Sequence, residues 1–252
     1  MPEDRSAAEA GHPPDAAGHA LTPPDEARLA RAETLHVMVT HVLAETVAPD
    51  EDNLIVDALA LARLAEQQME QAVIQRREQG DSWSTIAELA GVNRETARTR
   101  WGPAVATWMW RERKTSGSPD RTAARLDEWY AEHLPSTRAV SSRLPSLTDP
   151  AARHAATSDR AEAAELTMKL AEHPERTKEA FNACVAAIGS PEHADRRRQW
   201  AALHLEAAHW YERLAALEPP LAVEHRRRAA TQRTHAQDIA AGRETAEKAP
   251  PA

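Results

Sequence analysis

From Asp25 to Thr46, behind the start signal TPPD, the apolar residues Leu29, Leu35, Met38, Val39, Val42 and Leu43 recur at helical spacing, which predicts a first helix. A second stripe, Leu54, Ala58, Leu61, Leu64, Ala65, Met69, Ala72 and Val73, predicts a helix over 51–79, capped by Asp50 and stopped by Gly80. Two much shorter elements follow. Ser82 opens one in which Trp83, Ile86, Ala87 and Ala90 face one way, and Asn93 opens the next, with Gly91 supplying the left-handed turn between them. Pro103 then marks the start of a further helix, PAVATWMWRERK, whose Trp108 and Trp110 cannot share a face.

Beyond residue 120 the pattern predicts helices interrupted at SSRLPSLTDP, at Pro174, at Gly189 and at Pro219-Pro220. Trp200, Leu203, Ala207, Trp210, Leu214 and Leu217 alternate spacings of three and four, a heptad-like seam for another helix. The weaker apolar side after it, Leu221, Ala229, Ala236 and Ile239, predicts an antiparallel hairpin, with residues 158–188 or a second subunit completing the burial.

Composition agrees with a chain built from helices alone. Hydrophobic residues make up 42%, much of it alanine, aromatic residues only 4%, and glycine occurs eight times. The expected fold is all-α: a trihelical head over 25–114, a linker over 115–120 (TSGSPD) and a helical bundle over 121–245 for oligomerisation or effector binding. Residues 1–24 and 246–252 carry no periodic apolar face and are expected to be disordered tails.

The short unit GDSWSTIAELAGVNRETARTRWG holds the most specific pattern in the chain. Trp83, Ile86, Ala87, Gly91, Val92, Ala97 and Trp101 supply a small core and a tight turn, with Leu89 placed in that core as well. Val92 precedes the Asn93 cap and can meet Ala97 as a hydrophobic staple. The run W-x-x-I-A-x-x-x-G-V-x-R-x-x-A-x-x-R-W over Trp83 to Trp101 resembles the helix-turn-helix of actinobacterial DNA-binding proteins, similar to sigma-factor region 4 and to resolvase-like and homeodomain-like units. The resemblance covers residues 61–102. It implies sequence-specific binding of double-stranded DNA and transcriptional regulation in a bacterium. It also implies Arg94, Glu95 and Thr99 as readers of base edges, with Ser82, Asn93, Arg98 and Arg100 on phosphates.

Charge narrows where such binding can occur. The formal net charge is -8, which argues against a general polyanion binder. From Arg76 to Lys114, however, eight basic residues face five acids, a local excess of three positive charges. Only four of the 31 basic residues are lysine, as a GC-rich bacterial genome would give.

Other chemistry is thin. Cys184 is a lone thiol among Phe181, Val185 and Ile188 and reads as a small core residue. Glu33/His36 and Glu206/His209 have the E-x-x-H spacing of helical metal ligands, but such pairs arise by chance among 12 histidines and 39 acids, so no metal and no cofactor is expected. No nucleophile elbow or glycine-rich phosphate loop occurs, and the protein is read as no enzyme. The runs Arg196-Arg197-Arg198 and Arg226-Arg227-Arg228 read as solvated faces. Without a signal-like start or a long apolar stretch, the chain is expected in the cytoplasm, off the membrane, with its C-terminal helices offered as a homodimer surface. The rival reading is a non-enzymatic helical scaffold in which the helix-turn-helix is only a packing module.

Overall fold

A computed structural model describes residues 20–47, 52–111, 113, 117–134 and 138–243. Most of the expected tail 1–24, all of 246–252, the Asp50 cap and part of the 115–120 linker lie outside the described residues. Among the described residues the protein is all-α, with helices α1 (Pro23–Val47), α2 (Leu54–Glu78), α3 (Trp83–Ala90), α4 (Arg94–Trp110), α5 (Pro119–His133), α6 (Pro150–Ala186), α7 (His193–Leu217) and α8 (Ala222–Ala240). Short 3₁₀ turns sit at Ser141–Arg143, Pro145–Leu147 and Pro219–Leu221. None of these helices is long and apolar enough to cross a membrane.

The helices gather into two compact units, each drawn from two stretches of chain. One joins the described residues of Met1–Gln68 and Arg113–Thr157; the other joins those of Met69–Glu112 and Ser158–Ala252. Neither unit is one continuous run, where the composition of 115–120 suggested a boundary, and α2 and α6 contribute to both.

In the first unit the start of α1 packs on α5 through Leu21, Leu29, Ala123, Leu126 and Leu144. A buried carboxylate fastens the irregular segment over this core. Asp25 accepts from the backbone N–H of Ser146 at 2.8 Å and from its hydroxyl at 2.6 Å, and pairs with Arg28 at 2.6 Å. Asp127 likewise accepts from the N–H groups of Val140 and Ser141. Farther along, the expected stripes find no such cover among the described residues. Val47 is 82% exposed and Ile55 78%, and Val42, Leu43, Leu54 and Leu59 are exposed as well, whereas Val73 and Ile74 at the other end of α2 are buried.

In the second unit α7 and α8 form the most extensive helix pair, the expected hairpin. Two faces of α7 are used. Ala207, Trp210 and Leu214, from the heptad-like seam, pack on Ala163 and Leu166 of α6. A separate set of buried alanines, Ala201, Ala208 and Ala215, recurs every seven residues, as do Ala229 and Ala236 on α8. Side chains this small let two helix backbones lie close together. Sequence reading found the first face and missed the second, because alanine carries little weight in an apolar pattern.

Pro174 was expected to interrupt a helix, yet α6 runs unbroken for 37 residues with Pro174 inside it. The adjacent His173 is buried and its Nε2 donates to the carbonyl of Leu203 on α7 at 3.1 Å, so packing on both sides holds the segment helical across the lost hydrogen bond. Cys184 is buried, as expected of a core residue, with the Nδ1 of His193 3.1 Å from its carbonyl oxygen.

His173 and His204 stack edge to face 5.7 Å apart inside this bundle, and the Nδ1 of His204 donates to Gln232 at 2.6 Å. Burial, foremost, holds both imidazoles below the usual histidine range. Their unfolded forms therefore take up protons first as the pH falls. The stability they allow is complete above about pH 6.5 and is lost progressively below it, down to the depressed folded values. We expect the urea midpoint to drop between pH 7.5 and 5, and His204→Gln to flatten that drop; an unchanged slope in the variant would contradict the assignment.

Candidate nucleic-acid interface

The α3–turn–α4 unit is set by local chemistry, and its caps stand where the sequence put them. Ser82 accepts from the N–H of Thr85 at 3.1 Å, and Asn93 accepts from that of Thr96 at 2.8 Å. Gly91 ends α3 at φ 66°, ψ 29°, a left-handed conformation that costs glycine nothing. The N–H of Val92 then reaches the carbonyl of Ala87 at 3.0 Å and that of Gly91 the carbonyl of Glu88 at 3.2 Å, the paired bonds of a Schellman stop.

Of the proposed core, Trp83, Ile86, Ala87, Ala97 and Trp101 are buried and Val92 is half-buried. Leu89 is not part of it: at 67% exposure it stands in solvent, three residues past Ile86 but beyond the edge of the buried arc. α4 also corrects the expected break at Pro103. One helix of 17 residues runs from Arg94 to Trp110 with Pro103 inside. Buried Trp101 and Val105 anchor the chain on both sides of the proline, and the bond lost there belongs to the exposed Thr99. Trp108 is buried and its indole N–H donates to Glu78 at 2.9 Å, whereas Trp110 is 83% exposed.

The predicted contact residues are all exposed. Ser82, Asn93, Arg94, Glu95, Arg98, Thr99 and Arg100 all lie on the surface. Arg98 comes no nearer than 4.0 Å to Glu95 one turn earlier, both well hydrated, which is a weak pairing. Arg100 lies over the ring of Trp101 at 5.4 Å.

The basic footprint is narrower than the count of charges implied. Arg77 is buried, donating to the carbonyls of Asp81 and Pro220 and lying 4.9 Å over Trp83, and Arg76 pairs with Asp81. Both were counted in the local excess; Arg77 is closed to a polyanion, as is the buried Arg113, while Arg76 is exposed but partly neutralised by its pair. Arg94, Arg98, Arg100 and Arg111 are exposed as well.

A groove adjoins α4. Glu95, Arg98, Thr99, Gly102 and Ala106 form one wall, and Pro220, Leu221 and Glu224, at the start of α8, form the other. Two of the three predicted base readers, Glu95 and Thr99, thus look into this groove, and Arg94 stands clear of it.

The other metal-like spacings are spent on structural contacts. Glu33 accepts from Arg125 at 3.4 Å and His36 packs edge to face on Trp129, while Glu206 pairs with Arg176 at 2.9 Å. No family model, curated protein or solved structure matches the chain.

Two glycines of the unit carry opposite expectations. A Cβ at Gly91 or at Gly102 meets nothing within 4 Å, so only the backbone decides. Gly91→Ala forces alanine into the left-handed region and should cost about 1–2 kcal/mol. Gly102→Ala replaces glycine inside a helix and should add about 0.5–1 kcal/mol. Urea denaturation of both variants checks the pair; equal signs would refute the conformations described.

Proposed function

We propose that the protein binds double-stranded DNA in a sequence-specific manner, using α3 and α4 as a helix-turn-helix, in bacterial transcriptional regulation in the cytoplasm. The observation that carries this reading is the state of the α4 arginines. Arg94, Arg98 and Arg100 are exposed on a helix whose core is complete without them, and no strong ion pair with an acid of the chain neutralises Arg94 or Arg98 among the described residues. Two helix starts, at Ser82 and Asn93, lie exposed beside them and suit phosphate contacts.

The groove limits how α4 enters a duplex. Pro220, Leu221 and Glu224 flank its Glu95–Thr99 side, so the first turn leads, with Arg94 nearest the bases. Homodimerisation through the C-terminal helices belongs to the same proposal. The Trp210 seam is spent on α6 within one chain, so a second copy would use the outer faces of α7 and α8.

The second reading is a helical scaffold that binds proteins. It is favoured by the exposed Trp110 and Leu89, which flank the unit and serve no core.

The test is fluorescence anisotropy of the full chain with a pool of random GC-rich duplexes over a salt series, beside the variant Arg94→Ala/Arg98→Ala/Arg100→Ala. Binding should select a motif and weaken steeply with salt, and the folded variant should lose up to about three units of the log–log salt slope. An unchanged slope in the variant would sink the assignment of these arginines. No binding at low salt by folded protein would leave the scaffold reading.

A further inference from the structure

His41 and Glu45 lie one turn apart on the same face of α1, and Asp57 of α2 comes up to them. One donor atom from each side chain lies within 4.8 Å of both others, and the His41 Nε2 and Glu45 Oε1 atoms are 2.8 Å apart. These last two atoms are shut off from water, yet neither makes an aligned hydrogen bond. This close imidazole–carboxylate contact sits beside a second carboxylate, so two like charges converge on one imidazole.

We infer that His41, Glu45 and Asp57 form a zinc-binding site that clips α1 to α2. Imidazole nitrogen and carboxylate oxygen are both donors that this ion accepts, and two negative charges balance its two positive ones. Bonds of about 2.0–2.2 Å around a tetrahedral ion hold donors roughly 3.5 Å apart. Reaching that value asks the widest gap, up to 4.8 Å, to close and the 2.8 Å His41–Glu45 separation to open, at side chains that are only half-buried. Three protein ligands leave the fourth position to water.

The surroundings give the clip something to do. Val42, Leu43 and Val47 before the site's turn, and Leu54, Ile55, Val56 and Leu59 after it, are all exposed, so apolar burial contributes little at this end of the two helices. Ligands contributed by both helices would replace that missing cohesion, since a metal that binds only the folded arrangement stabilises it by mass action. The site shares no residue with α3 or α4, so it stands or falls independently of DNA binding.

The experiment strips the full chain with a chelator and titrates Zn2+ against a chromophoric competitor, following thermal unfolding in parallel. Wild-type protein should take up one equivalent and unfold at a higher temperature when loaded. Asp57→Asn and His41→Gln, both at half-exposed positions, should each weaken binding at least tenfold and abolish the thermal shift, while His209→Gln on the surface of α7 should change neither. Substituting Co2+ should give a visible absorption band that is lost in His41→Gln. Equal uptake by wild type and by both ligand variants would mean adventitious binding at other histidines and would overturn the site, as would no binding at micromolar Zn2+.

Discussion

Arg77, in the last turn of α2, is 3% exposed, and its guanidinium reaches the carbonyl of Pro220, 143 positions away, and that of Asp81 nearby. It also lies over the ring of Trp83. Taking such a cation out of water costs several kcal/mol, which only well-placed acceptors offset. Burial lowers its pKa, and the charges of Glu224, Glu78 and Asp81 act against that shift. The next residue has the opposite sign and holds the other end of the unit, for Glu78 accepts from the Trp108 indole. Two adjacent side chains thus fix the start of α3, the distal half of α4 and the turn before α8 with respect to the end of α2.

The rest of the second unit is held by small residues and a few large ones. Alanines at seven-residue intervals on α7 and α8 make a close pair, and the opposite edge of α7 carries the larger Trp210 and Leu214 toward α6. The histidines between these layers act as polar spacers whose N–H groups find carbonyl partners across helices. Such an arrangement gives low aromatic content a workable core, because close backbone approach replaces bulky side chains in filling space.

What could be read from the chain was what depends on near neighbours. The caps at Ser82 and Asn93, the left-handed stop at Gly91, the split between buried Trp108 and exposed Trp110, and the α7–α8 hairpin all follow from residues a few positions apart. What escaped depends on distant ones. Arg77 looks like any surface arginine until Pro220 is placed beside it. Pro103 and Pro174 look like breaks until packing on both flanks holds their helices straight through. The apolar stripes at the end of α1 and start of α2 look like core until no helix among the described residues is found to cover them. Periodicity states which residues share a face and leaves open whether anything lies against it.

The same distinction bears on α4 in the DNA-binding reading proposed above. Ala97, Trp101, Val105 and Trp108 face the core, and Glu95, Thr99, Gly102 and Ala106 face the groove lined by Pro220, Leu221 and Glu224. That leaves Thr96, Arg100 and Thr107 as the fully open side, together with the exposed first turn, while Pro103 borders the groove. A major groove about 12 Å wide accepts a helix about 10–12 Å across only if its flanks stand clear. Reading by Glu95 and Thr99 therefore requires the start of α8 either to touch the same duplex or to stay outside it. Under that proposal Glu224, an acid, would repel phosphate, so the start of α8 would stay outside the duplex, and Arg94 and Arg100 rather than Glu95 would come closest to it.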